Sequence, residues 1–197
     1  GRIPLPVFSK KAPEGAFLSS EITYMTTTAE FIKNAWKGET LEAMKNFIRI
    51  PSKSSAFEAD WEVRGELLRA VRQAESWGHQ RFPEGIFDVL QKPCIPPALY
   101  IDLPAFGGHT GRPVFFYGHF DKQPETQGWS EGLGPWTPVV KDGRLYGRGS
   151  SDDGYSFYTA LTAIQALEAS GRPHPRIVGL FETDEESGSI DLAQYLK

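Results

Sequence analysis

The first recognisable periodicity begins at Thr26. Hydroxyls at Thr26 to Thr28 can cap a helix whose apolar residues Phe31, Ile32 and Ala35 lead on to Leu41, Met44, Phe47 and Ile48, with a break expected at Gly38 and a stop at Pro51. A second helical face runs through Val63, Leu67, Ala70, Val71, Ala74 and Trp77, and Gly78 is placed to close it. A third, through Phe157, Ala160, Leu161, Ile164 and Leu167, keeps helical spacing up to Gly171. Short apolar or alternating runs bounded by Pro and Gly read instead as strands: Ile86 to Leu90, Ala98 to Leu103, Val114 to Tyr117 and Arg176 to Phe181. Val139 to Tyr146 reads as a hairpin, because Asp142-Gly143 supplies the positive φ of a tight turn. A last helix is expected to begin near Ser189.

Helices and strands interleave, and the strands of the second half are nearly unbroken in apolar residues. This pattern predicts an α/β layered sheet with helices on both faces. Residues 1–25 carry Pro4, Pro6, Pro13 and Gly15 without periodicity and read as an extended arm, leaving residues 26–197 as the domain. A length of 197 residues fits one such domain.

Composition narrows the function classes. The chain carries 21 Lys+Arg against 25 Asp+Glu, a net charge of −4, which lacks the basic excess needed to neutralise a phosphate backbone. Nucleic acid is therefore not an expected partner. The longest unbroken apolar runs, Ala98 to Ile101 and Val114 to Tyr117, are far too short to suggest a membrane helix. Cys94 is the only cysteine, so neither an internal disulfide nor a cysteine-based zinc knuckle is expected, and a reducing, cytoplasmic setting follows by default.

Acidic and imidazole side chains gather at three predicted strand ends. In Tyr117-Gly118-His119-Phe120-Asp121, residues two apart on an extended chain point to one side, so His119 can face a metal while Asp121 fixes its tautomer from the same flank. Gly147-Arg148-Gly149-Ser150-Ser151-Asp152-Asp153-Gly154 begins like a dinucleotide loop. Asp152 stands where the third glycine would be, and a carboxylate there repels a pyrophosphate but suits a divalent cation, or simply caps the following helix. Glu182-Thr183-Asp184-Glu185-Glu186 follows an apolar strand, where one acid can ligate a metal and its neighbour can shuttle a proton; a solvated acidic turn is the alternative. Taken together, one imidazole and several carboxylates at the ends of α/β strands fit zinc, with manganese or cobalt also accommodated, and a metal-activated water as nucleophile.

These three motifs, in this order, resemble the dinuclear zinc peptidase family that includes carnosinase-type dipeptidases, glutamate carboxypeptidase, succinyl-diaminopimelate desuccinylase and aminoacylase. Gly118 to Pro124 is similar to the family's first metal motif, Gly143 to Asp153 to its second, and Glu185 to Ser189 to its third. The resemblance implies two divalent metal ions, with His119 a ligand of one, Asp152 bridging both and Glu186 a ligand of the other. Glu185 would be the general base, Asp121 would orient His119, and Asp153 would be structural. It further implies that residues 26–197 are the N-terminal part of a catalytic domain, ending before a lid domain, a further carboxylate ligand and a final histidine. A homodimer is implied for the complete protein. The chain departs from many members in carrying Gly154-Tyr155 where they have Lys-Gly. His79, His109 and His174 match none of the family's ligands and read as surface or turn residues.

The resulting expectation is hydrolysis of peptide or N-acyl amide bonds in small substrates, foremost dipeptides. The competing expectation is a non-catalytic metal-binding or interaction fragment with an incomplete site. A glycosidase built on paired carboxylates leaves His119 without a role.

Overall fold

The computed structural model describes residues 27–196; the proline-punctuated arm of residues 1–25 lies outside them. The first helical stretch is divided as its sequence suggests, into α1 (Thr28–Ala35) and α2 (Glu39–Ile48). Thr27 caps α1 through a reciprocal pair: its hydroxyl accepts the Glu30 N–H at 3.2 Å, and the Glu30 carboxylate accepts the Thr27 N–H at 3.1 Å. The second stretch is broken where the periodicity gave no warning. Gly65 takes a left-handed φ of 68° between α3 (Trp61–Arg64) and α4 (Glu66–Arg81), leaving Val63 exposed rather than on the apolar face. Gly78 does not close α4, which runs on to Arg81. Its role is steric: a Cβ there would lie 2.2 Å from Cε1 of Phe87, so the glycine lets a strand residue pack directly on the helix backbone.

The predicted strands pair into one sheet of order β1-β2-β6-β3. β1 (Ile86–Lys92) and β2 (Ile95–Leu103) form a hairpin whose turn places Cys94 at φ 59°, β2 runs antiparallel to β6 (Ile177–Glu182), and β3 (Val114–His119) runs parallel to β6. The Asp142-Gly143 turn joins β4 (Val139–Lys141) to β5 (Arg144–Tyr146) as a separate two-stranded ribbon, with φ 51° and 72° at its central residues. α5 (Tyr155–Ala169) completes the crossover from β3 to β6.

A single core joins Met44 and Phe47 of α2, Ala70, Val71 and Trp77 of α4, Phe157 and Tyr158 of α5, and Phe87, Leu99, Ile101 and Phe181 of the sheet. The α/β layering is as expected, but the cover is one-sided among the described residues. α4 packs on β1 and β2, α5 on β3, and α1 and α2 on α5. Strand alternation explains the difference: Phe116 of β3 turns toward the helices, while Phe115 and Tyr117 turn away and are exposed. The helix expected near Ser189 is instead a 3-10 turn, Leu192–Gln194. His174 also departs from its surface reading. It is buried, with Nε2 3.1 Å from Glu168 Oε1 and its ring stacked on Phe106.

Gly78→Ala should destabilise the fold by about 1–3 kcal/mol despite alanine's better helix propensity, because the added methyl forces Phe87 out of its seat. Urea unfolding of the two proteins measures this, and an equal or higher stability of the variant would show that Phe87 repacks without cost.

Candidate metal centre

β3 and β6 end side by side, with His119 opposite Glu182 in register and the Phe120 N–H donating to the Glu182 carbonyl one residue further on. The extended chain leaving β3 then sends alternate residues to opposite sides. Phe120 is fully buried against Phe157 and Phe181, with ring centroids 5.4 Å away in each case, while His119 and Asp121 face the loop that follows β6. An aromatic anchor thus lies between the two chemical residues of the motif.

Asp121 is fully buried and organises both loops. His119 Nδ1 lies 3.3 Å from its Oδ1 and 3.1 Å from its backbone carbonyl, and its two carboxylate oxygens accept the backbone N–H groups of Glu185 at 3.3 Å and Glu186 at 3.0 Å. An Nδ1 proton donated to Asp121 leaves the Nε2 lone pair facing outward. Around Nε2 stand Asp152 Oδ1 at 3.2 Å and Glu185 Oε2 at 3.6 Å. Asp152 reaches this position from the loop ahead of α5, where the neighbouring Asp153 accepts the His119 backbone N–H at 3.3 Å and the Ser156 hydroxyl at 2.8 Å. Gly118 permits that approach, since a Cβ there would lie 2.5 Å from Ser156 Oγ and 2.6 Å from Asp153 Oδ2.

His119, Asp152 and Glu186 each offer one donor atom, and these atoms lie within 4.8 Å of one another. Among the described residues no Lys or Arg pairs with Asp121, Asp152, Glu185 or Glu186; their ion-pair contacts run only to His119. Burial by itself would lower the His119 pKa, but the hydrogen bond to and charge of Asp121, joined by Asp153 and Glu185, outweigh it and lift the pKa from 6.5 to about 9. Burial pushes the Glu186 carboxyl above its ordinary value, and the negative charges of Asp152 and Asp121 add to that rise. An Nε2 lone pair ringed by carboxylate oxygens is tolerated only with a positive charge among them, either a second imidazole proton or a cation. Imidazole and carboxylate donors of this kind suit a divalent ion of the zinc or manganese type.

The sequence placed all five chemical residues, His119, Asp121, Asp152, Glu185 and Glu186, in motifs at predicted strand ends, and the fold brings them together. It also adds Gln123, whose amide donates to Glu186 Oε2. Gln123 was legible only as part of a motif, because nothing in local spacing links it to a residue 63 positions away. A cleft of about 150 Å³ opens beside Asp152 and Glu186, lined also by Gln123, Trp129 and Arg148.

Residues 115–197 match Peptidase family M20/M25/M40. A succinyl-diaminopimelate desuccinylase of Methylobacillus flagellatus is 42% identical over 81 residues, covering 41% of this chain and 22% of that protein. Human Beta-Ala-His dipeptidase is 28% identical over 198 residues, covering 97% of this chain and 37% of its own length. The crystal structure of human carnosine dipeptidase 1 superposes with a TM-score of 0.68 at 26% identity, over 86% of this chain and 36% of that one. The matched stretches therefore span between 22% and 37% of the length of these relatives. The family resemblance carried by the three motifs holds: the segment that matches Peptidase family M20/M25/M40 contains all three.

Proposed function

We propose that the protein is a metal-dependent hydrolase of peptide or N-acyl amide bonds in small substrates, dipeptides foremost, and that residues 26–197 are the N-terminal part of its catalytic domain. The observation that carries this reading is the convergence of His119, Asp152 and Glu186 donor atoms within 4.8 Å, with Glu185 beside them. Relatives named for a dipeptide and for a succinylated diamino acid support small amide substrates. Two divalent ions, zinc or else manganese or cobalt, with Asp152 between them are part of the same proposal. So are a homodimeric complete protein, from the family resemblance, and a cytoplasmic location, from the lone Cys94. Among the described residues no helix is long and apolar enough to cross a membrane.

Ions held there would polarise the substrate carbonyl and acidify a water molecule. The protein's own part is to place and move protons. Asp121 keeps the His119 proton on Nδ1, so that Nε2 faces the centre as a donor atom. Gln123 holds one oxygen of Glu186 and leaves the other free. Glu185 is anchored by its backbone N–H on Asp121, yet its carboxylate is solvent-facing. It can therefore accept a proton from the attacking water and return it to the leaving amine.

Two outcomes test this. In the complete protein, Glu185→Gln should lower kcat for dipeptide hydrolysis by about 10²–10⁴ while leaving metal content by elemental analysis unchanged. Undiminished turnover would remove the base assignment. Metal uptake must also displace the His119 proton, which the ion-free site retains up to about pH 9. Apparent Mn(II) affinity should thus climb with pH, by about tenfold per unit for one displaced proton, and level off near pH 9. Calorimetric titration across that range measures the slope, and a flat profile would mean that His119 is not a ligand.

A further inference from the structure

Lys122 follows the His119-Phe120-Asp121 motif directly, yet its side chain turns away from the centre and is fully buried. Its amino group donates to the carbonyl of Phe47 at 2.8 Å and of Ile50 at 2.6 Å, where α2 ends. It sits 3.9 Å from the centroid of the Phe47 ring and 5.5 Å from that of Trp136. Among the described residues no carboxylate pairs with it, and burial holds its pKa well below the usual lysine value. An amine placed this way is expensive to bury and takes no part in the chemistry above. Its use must lie in what it joins.

Three connections meet at Lys122. Through its own backbone it belongs to the loop that carries His119 and Asp121. Through Phe47 and its own side chain it bears on the loop that carries Asp152: a Cβ on Gly149 would lie 2.6 Å from Phe47 Cε1 and 2.8 Å from Lys122 Cε, and one on Gly154 would lie 1.9 Å from Phe47 Cε1. Through Ile50 it holds the start of a strap. In that strap the Ser52 hydroxyl donates to the Phe120 carbonyl at 2.8 Å, and the Ser54 N–H donates to the Lys122 carbonyl at 3.0 Å. The strap continues to the third loop, with Ser54 Oγ 2.6 Å from Ser187 Oγ, Ser55 donating to Asp184 at 2.6 Å, and the Ala56 N–H donating to Ser187 Oγ at 3.0 Å.

We propose that Lys122 is a positioning residue for the metal centre: its buried amine ties the end of α2 and the Ile50 to Ala56 strap to the three loops that carry His119, Asp152 and Glu186. Without the amine, two buried carbonyls lose their donor, the end of α2 is no longer held to the β3 exit, and all three loops gain freedom. The consequence for metal affinity rests on the proposed function; the consequence for loop order does not.

Lys122→Met keeps the length and apolar stem of the side chain and removes the donor. In the full chain, amide hydrogen exchange read by mass spectrometry should accelerate by about tenfold in residues 147–154 and 184–188, with α4 unchanged, and Mn(II) affinity should fall by about tenfold or more. Faster exchange confined to the end of α2, with both loops as in the parent, would overturn the proposal and leave Lys122 a local helix brace. Glu186→Gln separates the two readings. If it binds Mn(II) as tightly as the parent, the metal assignment fails, and the exchange of residues 147–154 and 184–188 still decides the role of Lys122. Should Lys122→Met not fold, Ser54→Ala cuts the strap at its far end. Faster exchange in residues 184–188 then supports the proposal, and unchanged exchange there refutes it.

Discussion

Parallel pairing of β3 with β6 is the constraint on which the centre depends. Parallel neighbours end at the same edge of the sheet, so the loops leaving His119 and Glu182 emerge side by side, whereas antiparallel neighbours would send them to opposite edges. Asp121 then locks the two exits together by taking the ring nitrogen of His119 from one and the backbone N–H groups of Glu185 and Glu186 from the other. A buried carboxylate without such partners would be costly, and hydrogen bonds to a charged group contribute about 1.5–3 kcal/mol each. The interaction that orients the imidazole is therefore also the one that fixes the acidic loop.

Precision at the centre comes from apolar contacts just outside it. Phe120 separates His119 from Asp121 in sequence, stacks on Phe181 and meets Phe157 edge-on, so the motif cannot slide without withdrawing a ring from the core. A fully buried phenylalanine of this kind contributes about 1.5–3 kcal/mol through its removed surface. On the far side of β3, Tyr117 donates to Glu182, which also accepts the Ser189 hydroxyl at 2.8 Å; burial and that carboxylate together push the Tyr117 hydroxyl up to about 12. The strand end carrying His119 is thus fixed on both faces of the sheet by groups that do no chemistry.

Much of this was legible in the sequence because the relevant signals are local. The capping residues around Thr27, the Asp142-Gly143 turn, the period-two alternation of His119, Phe120 and Asp121, and the apolar run before Glu182 each act over a few residues, and each stands in the fold where its spacing put it. What escaped depends on partners distant in the chain. Gly78 reads as a helix stop until Phe87 is seen against it, and His174 reads as a turn residue until Glu168 and Phe106 enclose it. Gly65 separates α3 from α4 by its left-handed conformation within a stretch whose apolar spacing favoured continuity. The family resemblance supplied roles for the acids, but the burial of Lys122 and the grip of Gln123 on Glu186 come only from the assembled loops.

The same arrangement ties stability to function. Asp121, Asp152, Asp153, Glu185 and Glu186 converge on one imidazole, and the raised pKa of His119 together with that of Glu186 shows the local field asking for positive charge. In the ion-free protein that demand is met by a proton on His119, whose stabilising contribution is complete below its unfolded value near 6.5 and is lost as pH rises through about 9. Above that range the carboxylates repel one another without compensation unless a cation takes the proton's place. An ion that binds the folded chain and not the unfolded one then stabilises it in proportion to RT ln(1 + [ion]/Kd), so occupancy of the centre would relieve the same charge that the proton does.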